Sequence, residues 1–143
     1  MSLEANRAVV QRFVSEMLSQ HQLDVADQLF TADFVDHDAD DPQGRVSGVD
    51  GAKAEVGVYI NAFPDMRVDV ETLLAEGDRV FMQAHLRGTH RGELPGGLAA
   101  TGRSVDVWAW QTFRLVDGKI AEAWLNIDRL SLLQQLGAMP APA

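Results

Sequence analysis

At 143 residues, 46% of them hydrophobic, the chain has the material for one domain spanning residues 1–143 with a single apolar core. A formal charge of -9 argues against nucleic acid and against an anionic membrane surface, both of which recruit basic patches. With no cysteine, neither disulfides nor a thiolate metal site can form; no apolar run approaches the ~20 residues of a membrane span, and the N-terminal residues lack a signal-peptide h-region. The expectation is a cytoplasmic protein.

Residues 4–20 read as a helix, with Val9, Val10, Phe13, Val14, Met17 and Leu18 on one stripe. A shorter helix is expected over 24–30, then a brief extended segment over 31–38 and a polar loop over 39–46. Ser47 with Asp50 three residues on resembles a capping box. It would open a helix in which Val49, Ala52, Val56, Tyr59, Ile60 and Phe63 share a face, and Pro64 ends it.

From Met66 the hydrophobic period changes to two. Val68, Val70, Thr72 and Leu74 alternate with Arg67, Asp69, Glu71 and Leu73. Glu76-Gly77-Asp78 signals a hairpin. In the next strand Val80, Met82, Ala84 and Leu86 lie on one face, and Phe81, Gln83, His85 and Arg87 on the other. Residues 90–103, with four glycines and a proline, suit a lid over a pocket mouth. A long strand over 104–116 carries Trp108 and Trp110, and Asp117-Gly118 turns the chain into a last strand over 120–128. One face of that strand holds Ala121, Ala123, Leu125 and Ile127; the other holds Glu122, Trp124, Asn126 and Asp128, a mixture suited to a pocket wall. A final helix over 129–136 stops at Gly137. Helices, then an antiparallel meander, then one short helix make an α+β domain with helices on one face of the sheet.

This order resembles the SnoaL-like polyketide cyclases of the NTF2-like superfamily, across residues 5–137. The resemblance is carried by Phe34-Val35-Asp36-His37-Asp38, Ala62-Phe63-Pro64-Asp65, Glu76-Gly77-Asp78-Arg79-Val80, Gly88-Thr89-His90, Thr101-Gly102-Arg103, Asp117-Gly118-Lys119-Ile120, and Glu122-Ala123-Trp124 with Asp128. It implies an NTF2-like cone: a curved antiparallel sheet with N-terminal helices packed on its concave face around a pocket. It also implies a homodimer and, as in the best-known members, which cyclise aromatic polyketide esters by an intramolecular aldol condensation, cofactor-independent chemistry with an aspartate as acid/base at the position of Asp128. The polyketide substrate is not carried over; the expected reaction is aldol cyclisation or a related isomerisation of a small apolar carbonyl compound. A non-catalytic small-molecule-binding domain is the alternative on the same scaffold.

One carboxylate can serve as base and then acid if an apolar surround moves it towards neutrality. Asp128 is the first candidate, although an aspartate ahead of a helix is equally an ordinary N-cap. His37, on the same side as Val35, could hold that aspartate or orient a carbonyl; otherwise it pairs with an acidic neighbour. Trp124, Asn126, Trp108, Trp110, His85, Gln111, Phe63 and Tyr59 are the candidate binding residues. The phase of 79–89 and 104–116 stays open, because either face could look inward, and the outward tryptophans would meet a partner subunit. The cluster Asp36, His37, Asp38, Asp40 and Asp41 reads as a solvated acidic loop, since it lacks a calcium-loop glycine and a zinc spacing. No metal or cofactor is expected.

Overall fold

A computed structural model describes residues 2–37 and 46–140. Helix α1 (Leu3–Arg12) begins at Ser2, whose Oγ accepts the N–H of Ala5 at 3.0 Å, and runs on as a π-helical segment, Phe13–Ser19. The expected apolar stripe is the buried one: Val10, Phe13, Val14 and Met17 all face the core. A 3-10 turn (Leu23–Val25) and the short α2 (Ala26–Leu29) follow. Helix α3 (Gly48–Ala62) starts after Ser47, but the Ser47 side chain makes no capping bond, so the expected capping box does not form. Gly48 takes the backbone into the left-handed region at φ 74°. Ala52, Val56 and Ala62 are the buried face of α3.

The strands are β1 (Phe30–Asp36), β2 (Val46–Ser47), β3 (Arg67–Glu76), β4 (Arg79–Thr89), β5 (Ser104–Val116) and β6 (Lys119–Ile127), in the order β2-β1-β6-β5-β4-β3. β3 to β6 form the expected antiparallel meander. The β5–β6 turn has positive φ at both Asp117 (49°) and Gly118 (78°), which matches the twist of the strands it joins. One correction concerns the segment read as merely extended. β1 is a full strand that pairs parallel with β6, so the sheet is mixed rather than wholly antiparallel. A parallel partner must be delivered by a crossover, and α3 with the meander supplies it.

The helices cover one face of the sheet. Val80, Met82, Ala84 and Leu86 of β4 and Val105, Val107, Phe113 and Leu115 of β5 point into that layer. Phe13 ties it together, edge-on to Phe30 at 5.5 Å and to Phe113 at 5.6 Å between ring centroids. The chain closes with α4 (Arg129–Gln135), packed by Leu132 and Leu136.

Residues 90–103 are not the expected lid. The N–H groups of Arg91 and Gly92 donate to Ala62 O at the end of α3, and His90 is fully buried with its Nδ1 accepting the Thr101 N–H at 3.1 Å. Leu94 sits in the core, and no residue of the segment lines the cavity described below.

Candidate functional site

Between the helices and the concave face lies a cavity of about 70 Å³; the empty space between its walls, mouth included, is about 670 Å³. Its walls are mostly apolar: Phe13, Phe30 and Phe34 on one side, Met82, Leu86 and Ala109 from β4 and β5, and Ala123, Leu125 and Ile127 from β6. Small side chains make the room, because Ala52, Ala109 and Ala123 leave unfilled the space a larger residue would take. Four polar side chains enter it: Asp36 from β1, Glu55 and Tyr59 from α3, and Gln111 from β5. Asp36 is 5% exposed, the one buried carboxylate among the described residues.

Two of the residues expected from sequence, Gln111 and Tyr59, therefore line the cavity. Phe63 is fully buried beneath His90, 5.6 Å from its ring, and does not reach the cavity. The rest lie elsewhere. On β6 the cavity takes the Ala123, Leu125 and Ile127 face, so Trp124 and Asn126 turn outward, opposite to the orientation expected for them. Trp108 and Trp110 also face out, 36% and 49% exposed. The physical reason is that the helices bury one face of this sheet and leave the other in water. The small apolar residues go under the helices, and the rings with polar edges go outside.

The outward residues are held in their own networks. His37 stacks on Trp124 with centroids 4.9 Å apart and an interplanar angle of 12°, and the Arg79 guanidinium lies 4.8 Å from the Trp124 ring. His37 Nε2 lies 2.8 Å from Glu122, which also accepts from Arg114 Nε at 2.7 Å. Hydrogen bonds from His37, then Arg114, hold the Glu122 carboxyl below its ordinary range. His85 lies between Asp106 (3.0 Å from Nδ1) and Glu71 (2.9 Å from Nε2), with Trp108 3.9 Å from its ring. Burial pulls the Asp106 carboxyl up, but hydrogen bonds from Arg87 and His85 outweigh it and keep it low. Asp128 is exposed and caps α4, its Oδ1 accepting the Ser131 N–H at 3.1 Å.

Asp36 and Glu55 are the polar residues that sequence reading passed over. The acidic run of the sequence suggests a solvated loop for Asp36, yet it shares strand phase with Phe34, which carries it inward. Glu55 falls on the helical face of Ala52, Val56 and Tyr59. The remaining members of the acidic cluster, Asp38, Asp40 and Asp41, lie outside the described residues. Among the described residues no group of histidines and carboxylates is arranged to hold a metal ion, and no helix is long and apolar enough to cross a membrane.

A mixed, curved sheet with helices closing a pocket on one face defines an NTF2-like α+β cone. Within that class the chain belongs to the SnoaL-like polyketide cyclase family, whose model it matches over residues 8–136. It is similar in structure to a candidate SnoaL-like polyketide cyclase from Jannaschia sp. CCS1, with 29% identity, TM-score 0.85, and 96% of this chain and 94% of that one covered. AclR, a candidate hydroxylase from Streptomyces galilaeus, is 30% identical with TM-score 0.84, over 99% of this chain and 87% of that one. A candidate polyketide cyclase from Acidithiobacillus ferrooxidans is 28% identical with TM-score 0.83, over 96% and 99% of the two chains. No curated protein matches the chain by sequence.

Proposed function

We propose that this chain is a cofactor-independent acid/base enzyme of the cyclase type, acting on a compact apolar carbonyl compound in the concave cavity. Asp36 is the proton-transferring group in this reading. The observation that carries it is a buried carboxylate in the wall of an otherwise largely apolar pocket. In an aldol closure the carboxylate takes a proton from the carbon beside a carbonyl. The enolate carbon then bonds to a second carbonyl carbon, and the alkoxide so formed takes the proton back. Atoms and charge balance with no further reagent, and one carboxylate serves both steps. Asp128 is already committed as an exposed helix cap and His37 as a partner of Glu122, so neither is given the proton-transfer role here.

The test is deuterium exchange into the α-CH2 of phenylacetone, followed by proton NMR in D2O. Wild type is expected to accelerate exchange and Asp36→Asn to abolish the acceleration. Equal exchange by the two proteins removes Asp36 from the chemistry. Binding of phenylacetone with no acceleration by wild type leaves the rival reading, a non-catalytic binding domain.

We also propose a homodimer through the outer sheet face. Leu74, 60% exposed, and Trp110, 49% exposed, are large apolar side chains on an open sheet surface, and a second copy would cover them.

A further inference from the structure

Gln111 is a cavity side chain whose amide makes no hydrogen bond among the described residues. β5 buries Val105, Val107, Ala109, Gln111, Phe113 and Leu115, and Gln111 is the polar exception in that row. Its cross-strand neighbours are Met82 on β4 and Leu125 on β6; both line the same cavity, and neither offers a strong hydrogen-bonding group. The residue is 8% exposed, and no hydrogen bond to its amide exists among the described residues. The Gln111 amide atoms are not among the fully buried, unpartnered polar atoms of the described residues, so they keep contact with the open space of the cavity. A ligand that fills the cavity takes the amide out of water, which costs free energy unless the ligand supplies a hydrogen bond; an analogue lacking the matching group leaves that cost standing. That asymmetry makes a buried, unpaired polar group a strong discriminator.

We propose that Gln111 is the specificity-determining residue of the cavity, donating an Nε2–H to the carbonyl oxygen of a neutral ketone. This rests on the cavity being the ligand site, as argued above. The amide carbonyl remains available for one ligand hydroxyl, so hydroxyketones fit the same group. The apolar walls contributed by Met82, Leu125 and Phe34 take the hydrocarbon body. Only β6 separates the strand of Gln111 from that of Asp36, so the ketone oxygen and the carbon beside it meet a donor and a carboxylate from one concave surface. When that carbon loses its proton, charge develops on the oxygen that Gln111 already contacts, and the hydrogen bond strengthens.

The experiment compares phenylacetone with n-propylbenzene, its counterpart with CH2 in place of C=O, by amide NMR titration. The proteins are wild type, Gln111→Leu and Gln111→Met, the last retaining an unbranched side chain should the leucine variant fail to fold. Wild type is expected to favour the ketone, and the folded variant to lose roughly fivefold of that preference, the size of one net hydrogen bond. An unchanged ketone preference in the folded variant overturns the role of Gln111 while leaving the cavity as the site. Failure of wild type to bind either probe overturns the cavity reading and this inference with it.

Discussion

The Asp128 carboxylate accepts the backbone N–H of Ser131 at 3.1 Å, where β6 passes into α4. This bond satisfies one of the donors that every helix N-terminus leaves open. Asp128→Ala is therefore expected to lower stability by ~1 kcal/mol, and Asp128→Ser to cost little, because serine caps as well. Urea unfolding of the three proteins checks the ranking. Phenylacetone exchange should be the same in all of them; its loss in a well-folded Asp128→Ser would return the acid/base role to Asp128.

Glu122 ties β1 to the outer sheet face through His37 and to β5 through Arg114. These bonds hold its carboxyl below the ordinary range of a glutamate. A carboxyl lowered in the folded state contributes stability that is full above its unfolded pKa and fades as the pH falls through the lowered folded value. The melting temperatures of wild type and Glu122→Gln should thus differ most near neutrality and converge in acid. Asp65 adds to the same acid limb, its carboxyl lowered by the N–H and then the hydroxyl of Thr89. A gap between the two melting curves that stays constant down to strong acid would contradict this account.

The alternation of β4 reads from its residues, but which face looks inward stays open in the sequence; the structure turns Val80, Met82, Ala84 and Leu86 under the helices. β6 misleads because both of its faces are unusual. Its inner face mixes Ala123, which leaves space, with Leu125 and Ile127, which wall it; its outer residues look like a pocket wall because Trp124 and Glu122 serve a surface network with His37, Arg79 and Arg114. Alternation gives the two sets but not which one the helices cover. That depends on β1 pairing parallel with β6, a contact between strands some 85 residues apart in sequence at His37 and Glu122. Asp36 was hidden for a related reason. In sequence it heads an acidic run, and only the strand phase it shares with Phe34 marks it as buried.

Gly92 fixes where residues 90–103 run. A Cβ built there would lie 2.1 Å from the backbone oxygen of Asn61, with no flexible side-chain end to give way. Gly92→Ala must therefore push the segment off the end of α3, breaking the bonds from Arg91 and Gly92 to Ala62 O. A loss of about 1–3 kcal/mol is expected, within the range of overpacking substitutions. Gly77→Ala meets nothing within 4 Å, and its cost is the roughly 1–2 kcal/mol of a left-handed residue alone. Hydrogen exchange separates the two. Gly92→Ala should expose the amides of residues 90–103, and Gly77→Ala should leave them protected.

Trp110 tests how copies of the chain meet. It lies on the outer face between Gln83 of β4 and Asn126 of β6, away from the cavity. In a two-fold dimer through this face, the same patch meets itself, so a charge placed near the axis faces its own copy. Trp110→Lys removes a large apolar contact and introduces that repulsion in one step. Because the side chain is 49% exposed and outside the core, the fold should survive the change. Sedimentation at matched concentration is expected to give a dimer for wild type and a monomer for Trp110→Lys, with phenylacetone binding retained by both. A variant that sediments as wild type does, in either state, would show that this face is not where the chain associates.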